Sequence, residues 1–326
     1  MDNKIFSQKN KLRQVLFPLI EPYRQQLLEV GDGHQIYVEE CGNPDGLAVM
    51  VVHGGPGGGC SPTMRRYFDP EYYRMVLFDQ RGCGRSRPFA SIQNNDTWKL
   101  ISDMDFIRNY LGIPQVILFG GSWGAALSLL YAEQFPERVS KLILRGVFTM
   151  TKSELDWFYT EDGAGKFWPE AWKAFKNMVP KNEQNNIIHA YHKRLFGNSP
   201  SEQASFSKAW ANWENSLASY KSLGRGFNQS TEYARAFARI ENHYFINNGF
   251  LEEDGQIFRD LNTIDSIPTI IVQGRYDMIC PPATAQALHS RLKNSKLSIV
   301  PEAGHAMSEP GIIAGLINAT EEFKFL

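Results

Sequence analysis

The chain has 326 residues, of which 43% are hydrophobic, and a formal net charge of -1 at pH 7. This length and apolar content suffice for one α/β core with an insertion, and the small net charge gives no reason to expect nucleic acid or an anionic membrane as a partner. No segment approaches the roughly 20 apolar residues of a membrane helix. The four cysteines are scattered without metal-ligand spacing, which is typical of reduced thiols, so we expect a soluble, cytoplasmic protein.

The first part of the chain predicts a hairpin and then alternating strands and helices. Strand-like segments at residues 27–30 and 35–40 flank a Gly-Asp-Gly-His turn signal. The alternation continues to residues 142–144 and is typical of a mostly parallel sheet covered by helices. We therefore assign residues 1–150 to the first part of an α/β core.

The middle of the chain has a different character. From residue 151 to residue 261, helical periodicity dominates, strand-like runs disappear and aromatic residues become dense. We interpret residues 151–261 as a helical cap domain inserted into the core. Alternating strands and helices resume over residues 262–326, which we assign to the second part of the core.

A serine on a sharp turn is the first candidate for chemistry. Residues 116–119 predict a strand, residues 125–135 have helical spacing, and the pentapeptide Gly-Gly-Ser-Trp-Gly at 120–124 lies between them. A serine in this setting, with small neighbours that let the backbone bend, is the nucleophile elbow of an α/β-hydrolase. Ser122 would be the nucleophile, and the amide of Trp123 would donate to the oxyanion. The pentapeptide alone also fits a glycine-containing turn with an incidental serine.

The chain order supplies an acid and a base. Residues 269–272 predict a buried strand that leads to Asp277, and residues 296–300 predict a strand that leads to His305. In an α/β-hydrolase the acid and the histidine follow the serine, each after a later strand. A serine hydroxyl needs a base to take its proton, and the imidazole needs a carboxylate to fix its tautomer. Ser122, Asp277 and His305 are therefore the predicted triad.

A glycine-rich loop is the candidate for the second half of the oxyanion hole. Residues 48–52 predict a strand, and residues 53–59 read His-Gly-Gly-Pro-Gly-Gly-Gly. A comparable loop supplies a backbone donor in lipases and esterases, so we assign that role to the amide of Gly55. The lysine and hydroxyl that close a nucleotide-binding loop do not follow. We expect His53 to brace the loop rather than to act in chemistry.

Two carboxylates in the predicted cap have apolar neighbours. Glu241 shares a helical stripe with small and apolar residues, and Glu214 follows a tryptophan by one turn. A carboxylate that faces an interior needs a cation or hydrogen-bond donors. The cation could belong to a substrate, but spacing alone favours a partly solvated helix edge or an internal ion pair with one of three arginines: Arg145, Arg235 and Arg239.

Short segments spread over the predicted core and cap resemble the proline iminopeptidases: residues 53–59, 79–86, 120–124, 144–146, 213–216, 238–245 and 274–277. The resemblance implies a serine peptidase that removes proline from the amino terminus of peptides. Ser122, Asp277 and His305 match the family triad. The chain departs from the family pattern at Ala125-Ala126 and at Ala306, where relatives often carry hydroxyl residues, but neither departure removes a group that the mechanism requires.

The resemblance also gives the two glutamates a role. Glu214 and Glu241 match the family's carboxylates for the substrate amino terminus, and a protonated N-terminal proline has two N–H donors that they can accept. Phe148 and Phe158 are candidate walls of a pocket for the pyrrolidine ring. The mechanism needs no metal or other cofactor, and the scattered histidines offer no convincing metal site.

Two alternatives to a proline iminopeptidase stay open. A related esterase or amidase would keep the triad but would not depend on a free amino terminus. A non-catalytic ligand receptor on this fold would bind without turnover, although the complete triad argues against it. The sequence leaves the oligomeric state undecided between a monomer and a small homo-oligomer.

Overall fold

The computed structural model describes residues 15–220 and 230–325. An eight-stranded sheet forms its centre, with the order β1-β2-β4-β3-β5-β6-β7-β8. Its strands are β1 (Arg24–Gly31), β2 (His34–Gly42), β3 (Leu47–Val52), β4 (Tyr73–Asp79), β5 (Val116–Ser122), β6 (Val139–Val147), β7 (Thr269–Gly274) and β8 (Ser295–Val300). The two pairings of β2 are antiparallel, and all pairings from β4 to β8 are parallel.

The predicted hairpin is the antiparallel edge of this sheet. β1 and β2 are joined by a turn in which Gly31, Asp32 and Gly33 all have positive φ, which explains why two glycines stand there. The other neighbour of β2 within the sheet is β4, which lies between β2 and β3. The sequence analysis did not predict β4 as a separate strand.

Both faces of the parallel strands are buried under helices. Along β5, Leu118 faces one hydrophobic core, while Ile117 and Phe119 face the other. The first core includes residues of α1 (Thr97–Tyr110), α2 (Trp123–Gln134) and α9 (Pro282–Arg291), and the second includes residues of α10 (Pro310–Phe323). Successive side chains of a strand point to opposite faces of the sheet. A strand that is covered by helices on both faces is therefore apolar along most of its length, as residues 116–119 of β5 are.

The chain between β6 and β7 is helical. It contains α3 (Lys152–Phe158), α4 (Pro169–Lys176), α5 (Ile187–Leu195), α6 (Pro200–Leu217), α7 (Thr231–Ile246) and α8 (Gln256–Asp260). The aromatic residues noted in the sequence pack here: Tyr159 stacks on Trp210 with ring centroids 4.8 Å apart, and Phe175 stacks on Trp213 at 5.7 Å.

The domain division stays a prediction. The predicted limits at residues 150 and 261 are sequence-based, and each predicted range includes residues outside the described ones: 1–14, 221–229 and 326. The helical stripe predicted around Glu241 lies on α7, whose first turn is capped by Ser230, since its hydroxyl accepts a hydrogen bond from the amide of Tyr233 at 3.1 Å.

Candidate active site

Ser122 lies at the junction of β5 and α2 in a strained backbone conformation. Its φ and ψ are 58° and -127°, which few residues other than glycine adopt. The strand and the helix approach closely here, because a Cβ atom on Gly120 would lie 2.2 Å from the carbonyl oxygen of Gly124. A Cβ on Gly124 would lie 2.0 Å from the oxygen of Val52. The glycines around Ser122 are therefore required by contact as well as by bending.

Asp277 and His305 form a buried hydrogen-bonded pair. The Nδ1 atom of His305 lies 2.8 Å from Oδ2 of Asp277. The other carboxylate oxygen accepts the amides of Ile279 at 3.0 Å and Cys280 at 2.8 Å, and Gln273 donates to Oδ2 at 3.1 Å. These bonds fix the Asp277 carboxylate in the orientation that holds the imidazole.

The second nitrogen of His305 faces an arginine. Nη1 of Arg145, on β6, lies 3.1 Å from Nε2 of His305 and donates to the carbonyl oxygen of the same residue at 2.9 Å. A guanidinium has no acceptor, so Nε2 must carry a lone pair and Nδ1 must carry the proton that Asp277 accepts. Among the described residues, Ser122 is not a hydrogen-bond partner of His305. The structure thus holds the neutral tautomer that a general base needs, with its lone pair turned to Arg145.

The glycine-rich loop after β3 lies against the elbow. A Cβ on Gly54 would lie 3.2 Å from Cβ of Ser122, and Gly55 has a φ of 113° that favours glycine. The amide of Trp123 is the first of α2, and such amides have no partner within their helix. The structure thus brings the glycine-rich loop and the first turn of α2 together at Ser122.

Two buried side chains connect this loop to the elbow. The Nε2 atom of His53 accepts the amide of Gln80 at 2.9 Å, and its Nδ1 lies 2.9 Å from the oxygen of Gly54. The Gln80 side chain donates to the oxygen of His53 at 2.8 Å and accepts the indole N–H of Trp123 at 3.1 Å. Burial lowers the pKa of His53, which keeps the ring neutral. His53 therefore braces the loop, and the role of Gln80 was not predicted because it depends on a tertiary contact.

A small cavity lies beside Ser122. Six of the nine residues that line it were predicted from the sequence as site residues, and the other three were not. Its lining is Gly55, Ser122, Phe148, Phe158, Glu214, Glu241, Phe245, Ile279 and Cys280. The walls are thus mainly aromatic and apolar, with two carboxyl groups among them.

The carboxyl groups of Glu214 and Glu241 interact directly in this cavity. Trp210 donates its indole N–H to Oε2 of Glu241 at 2.5 Å, whereas Oε2 of Glu214 is buried and has no hydrogen-bond partner among the described residues. Burial raises the pKa of Glu214 to about 7. Burial, and after it the negative charge of Glu214, raise the pKa of Glu241 well above its usual range. Two such carboxyls therefore favour a proton shared between them.

The ion pairs considered as an alternative for these glutamates are not formed within the described part of the chain. Arg145 contacts His305, and Arg239 donates to the carbonyl oxygen of Leu195 at 2.5 Å and lies over the ring of Phe196. Arg235 is exposed on α7. The two carboxyls thus have no ion pair with a protein cation among residues 15–220 and 230–325. Because a buried carboxylate oxygen needs a hydrogen-bond donor, the unpartnered Oε2 of Glu214 indicates a ligand.

Cys280 links the nucleophile to the acid loop. Its side chain lines the same cavity as Ser122, and its amide donates to Asp277 at 2.8 Å. Burial raises the pKa of this thiol well above its usual range. All four cysteines of the sequence are described, and none forms a disulfide.

Comparison with known proteins assigns the class. A family model described as the alpha/beta hydrolase fold matches residues 48–311. The chain is therefore an α/β-hydrolase, and the predicted fold class is confirmed. A solved structure of a proline iminopeptidase-related protein from Thermus thermophilus superimposes with a TM-score of 0.54, with 22% identity over 93% of this chain and 96% of that one, which is a likeness of fold alone.

Two curated relatives then identify the family within this class. A protein of Leptolyngbya boryana named "Probable proline iminopeptidase" is 47% identical over 94% of this chain and 96% of its own length. The proline iminopeptidase of Arabidopsis thaliana is 44% identical over 96% of this chain and 83% of its own length. The chain belongs to the proline iminopeptidase family, as its motifs predicted. Within residues 15–220 and 230–325, each helix is too short or too polar to cross a membrane.

Proposed function

We propose that this protein is a serine exopeptidase that releases proline from the amino terminus of peptides. The relatives named proline iminopeptidase support this reaction. The observation that carries the proposal is the convergence of Glu214, Glu241 and Ser122 on one cavity. A nucleophile and two carboxyls that line one cavity can act on a carbonyl next to a cationic amine.

Recognition of the amine follows from the two carboxyls. The secondary ammonium of an N-terminal proline has two N–H donors, and the unpartnered Oε2 of Glu214 can accept one of them while Glu241 accepts the other. The positive charge of the substrate would replace the proton that the two carboxyls share. An acylated proline nitrogen has neither the charge nor the donors, so it would leave both carboxyls without a partner.

The remaining walls fit the side chain of proline. Phe148 and Phe158 are 5% and 4% exposed, and both line the cavity. Phe148 packs edge to face on Phe245 with ring centroids 6.2 Å apart. The compact pyrrolidine ring would be desolvated against these rings, which favours it over residues with polar side chains.

The proposed chemistry uses the triad. Ser122 attacks the prolyl carbonyl while His305 takes its proton, and the amides of Gly55 and Trp123 stabilise the oxyanion. His305 then protonates the leaving amine, and water attacks the acyl-enzyme to release proline. Asp277 holds the imidazole through its bond to Nδ1.

One hydrogen bond must change before this attack. The lone pair of Nε2 in His305 is turned to Arg145, so the Ser122 hydroxyl has to replace the guanidinium as its donor. Arg145 keeps its second contact, to the carbonyl oxygen of His305, during such an exchange.

Two further assignments complete the proposal. We assign α3–α8 to a cap domain over residues 151–261, because these helices supply Glu214 and Glu241 and the core supplies Ser122. We also assign the protein to the cytoplasm, an assignment supported by its four unpaired thiols.

The test compares three chromogenic substrates with the wild-type enzyme: a proline amide, its N-acetylated form and a short-chain ester. We expect cleavage of the free proline amide and no cleavage of the acetylated form. Ser122→Ala should remove all activity and keep the fold, with Ser128→Ala on α2 as an active control. Cleavage of the ester alone would retain the serine hydrolase and overturn the exopeptidase, and activity of pure Ser122→Ala would overturn the triad.

A further inference from the structure

The turn that carries His305 is attached to the end of α6 by one buried carboxylate. Glu309 directly precedes α10 and is 6% exposed. Its Oε1 atom accepts the amide of Gly304 at 3.0 Å and the amide of Tyr220 at 3.0 Å. Gly304 adjoins His305 in the chain, and Tyr220 lies three residues beyond the end of α6. One oxygen therefore joins two segments that are far apart in sequence.

Residues 218–220, which we call the α6 tail, make two other contacts with the triad loops. The amide of Ala306, on the other side of His305, donates to the carbonyl oxygen of Ala218 at 2.7 Å. The ring of Tyr220 stacks on Tyr276, the residue before Asp277, with centroids 4.8 Å apart and an interplanar angle of 12°. The α6 tail thus contacts the loop of the acid and the loop of the base.

The same helix carries a carboxyl of the cavity. Glu214 lies on α6, one helical turn before Ala218 at the start of the tail. A shift of α6 along or about its axis would therefore move the Glu214 carboxyl and strain the bonds on both sides of His305. We propose that Glu309 is a positioning residue that holds the general base and the Glu214 helix as one unit. This proposal rests on the proposed function of Glu214.

The bonding of Glu309 indicates that its carboxylate serves these two segments. A residue at this position often caps the following helix, but the Glu309 side chain makes no such bond to α10. Space at the contact is also limited, since a Cβ on Gly304 would lie 3.1 Å from the Tyr220 nitrogen and 3.2 Å from Oε1 of Glu309. Removing the carboxylate would leave two amides without their acceptor, and the two segments could then separate.

The experiment measures kcat and KM for the free proline amide and for the short-chain ester. Glu309→Ala should lower kcat about 10-fold on both substrates, because both need His305 in place, and should raise KM about 10-fold for the proline amide alone. Glu309→Gln keeps an acceptor oxygen of the same reach and should stay within about 3-fold of the wild type. The neighbouring exposed Ser308→Ala is the matched control and should leave both constants unchanged. Should Glu309→Ala fail to fold, Glu309→Asp, which cannot reach both amides, replaces it.

Two results would overturn the proposal. One is a lower melting temperature of the Glu309 variant with kcat and KM unchanged at 25 °C, which is what a purely structural residue gives. The other is a fall in kcat on both substrates with the wild-type KM for the proline amide, which would remove the link to Glu214. Failure of the proposed function is visible separately, because the wild-type enzyme would then cleave the ester and leave the proline amide intact; the claim about Glu214 would fall with it.

Discussion

The carboxyl groups of Glu214 and Glu241 interact directly within the cavity that holds Ser122, although α6 and α7 carry no cation that pairs with them in the described part of the chain. Two buried carboxyls in contact are unfavourable unless a proton or a cation lies between them. The arrangement therefore reduces the stability of the empty site and makes it selective for a cationic group.

The pH dependence of activity should reveal this pair. In the free enzyme the pKa of Glu214 is raised to about 7, so below that pH the pair is protonated and accepts an ammonium poorly. As the pH rises the pair ionises, and kcat/KM for the proline amide should increase relative to kcat/KM for the ester from about pH 6 to about pH 8. Both substrates use Ser122 and His305, so the contribution of the triad cancels in the ratio. A ratio independent of pH would contradict the role of the carboxyls.

The free energy of unfolding should fall as the pH rises, whereas the relative activity on the proline amide rises. The pKa of Glu214 is raised from 4.5 to about 7 by folding, so the native state binds its proton more tightly than the unfolded chain. Unfolding free energy is then lost as the pH rises from about 4.5 to about 7 and stays low above that. Glu214→Gln has no such titration and should be more stable than the wild type by on the order of 2 kcal/mol at pH 8, with little difference at pH 4.5.

Urea unfolding at the two pH values measures this difference. Glu170→Gln, which changes an exposed carboxylate at the start of α4, is the control and should alter the unfolding free energy by less than about 0.5 kcal/mol. If Glu214→Gln shows the same stability change at both pH values, its carboxyl is not held in the environment described here.

A substitution at Gly146 tests whether catalysis needs the His305 imidazole in the position that the structure gives it. A Cβ atom at Gly146 would lie 2.9 Å from Cε1 of His305 and 3.2 Å from Oδ2 of Asp277, and its φ is 53°. Gly146→Ala should therefore displace the imidazole and lower kcat about 10-fold to 100-fold on every substrate. Gly112→Ala is the control for backbone strain without a steric clash. Gly112 has a φ of 66°, and no atom lies within 4 Å of a Cβ added there.

Both glycine variants should lose about 1 kcal/mol of unfolding free energy, since alanine is disfavoured at positive φ. Steady-state kinetics of the two proteins separates the effects. Equal kcat values for Gly146→Ala and Gly112→Ala would mean that His305 does not need the position seen here.

Cys280 should make the enzyme sensitive to bulky thiol reagents. Its side chain lines the cavity beside Ser122 and its amide supports Asp277, so a bulky adduct would crowd both. The raised pKa of the buried thiol predicts slow modification that accelerates with pH. Cys280→Ala should resist inactivation, and Cys41→Ala, which removes a thiol on β2 outside the cavity lining, should not. An unchanged rate after confirmed modification of Cys280 would refute this expectation.

Much of the fold was predictable because the signals are local. The strand periods and the glycines around Ser122 follow from the sequence over short windows, and the family followed from motifs in both the core and the helical segment. The glutamates were different, since helical spacing alone favoured an internal ion pair or a partly solvated helix edge, and only the resemblance assigned them to the substrate. The structure adds that Glu241 contacts Trp210 and Glu214 rather than an arginine in the described residues.

Other features of the site were not predictable. The contact of Arg145 with His305 joins residues 160 positions apart, and the bond between Glu309 and Tyr220 spans 89 positions. Neither pair has a spacing or a motif that marks it, because the first joins β6 to the loop after β8 and the second joins the α6 tail to the residue before α10. Gln80 belongs to the same group, although its position in one of the family-like segments was a signal that could have been used.

The most direct test of the account is the substrate selectivity of Glu241→Gln. Glutamine keeps an oxygen that can accept the Trp210 indole N–H, so the fold should persist while the charge for the ammonium is lost. We predict that kcat/KM falls at least about 10-fold for the proline amide and less than about 3-fold for the ester, consistent with the loss of a charge-assisted hydrogen bond. An equal loss on both substrates would show that Glu241 is structural and would contradict the recognition of a free amino terminus.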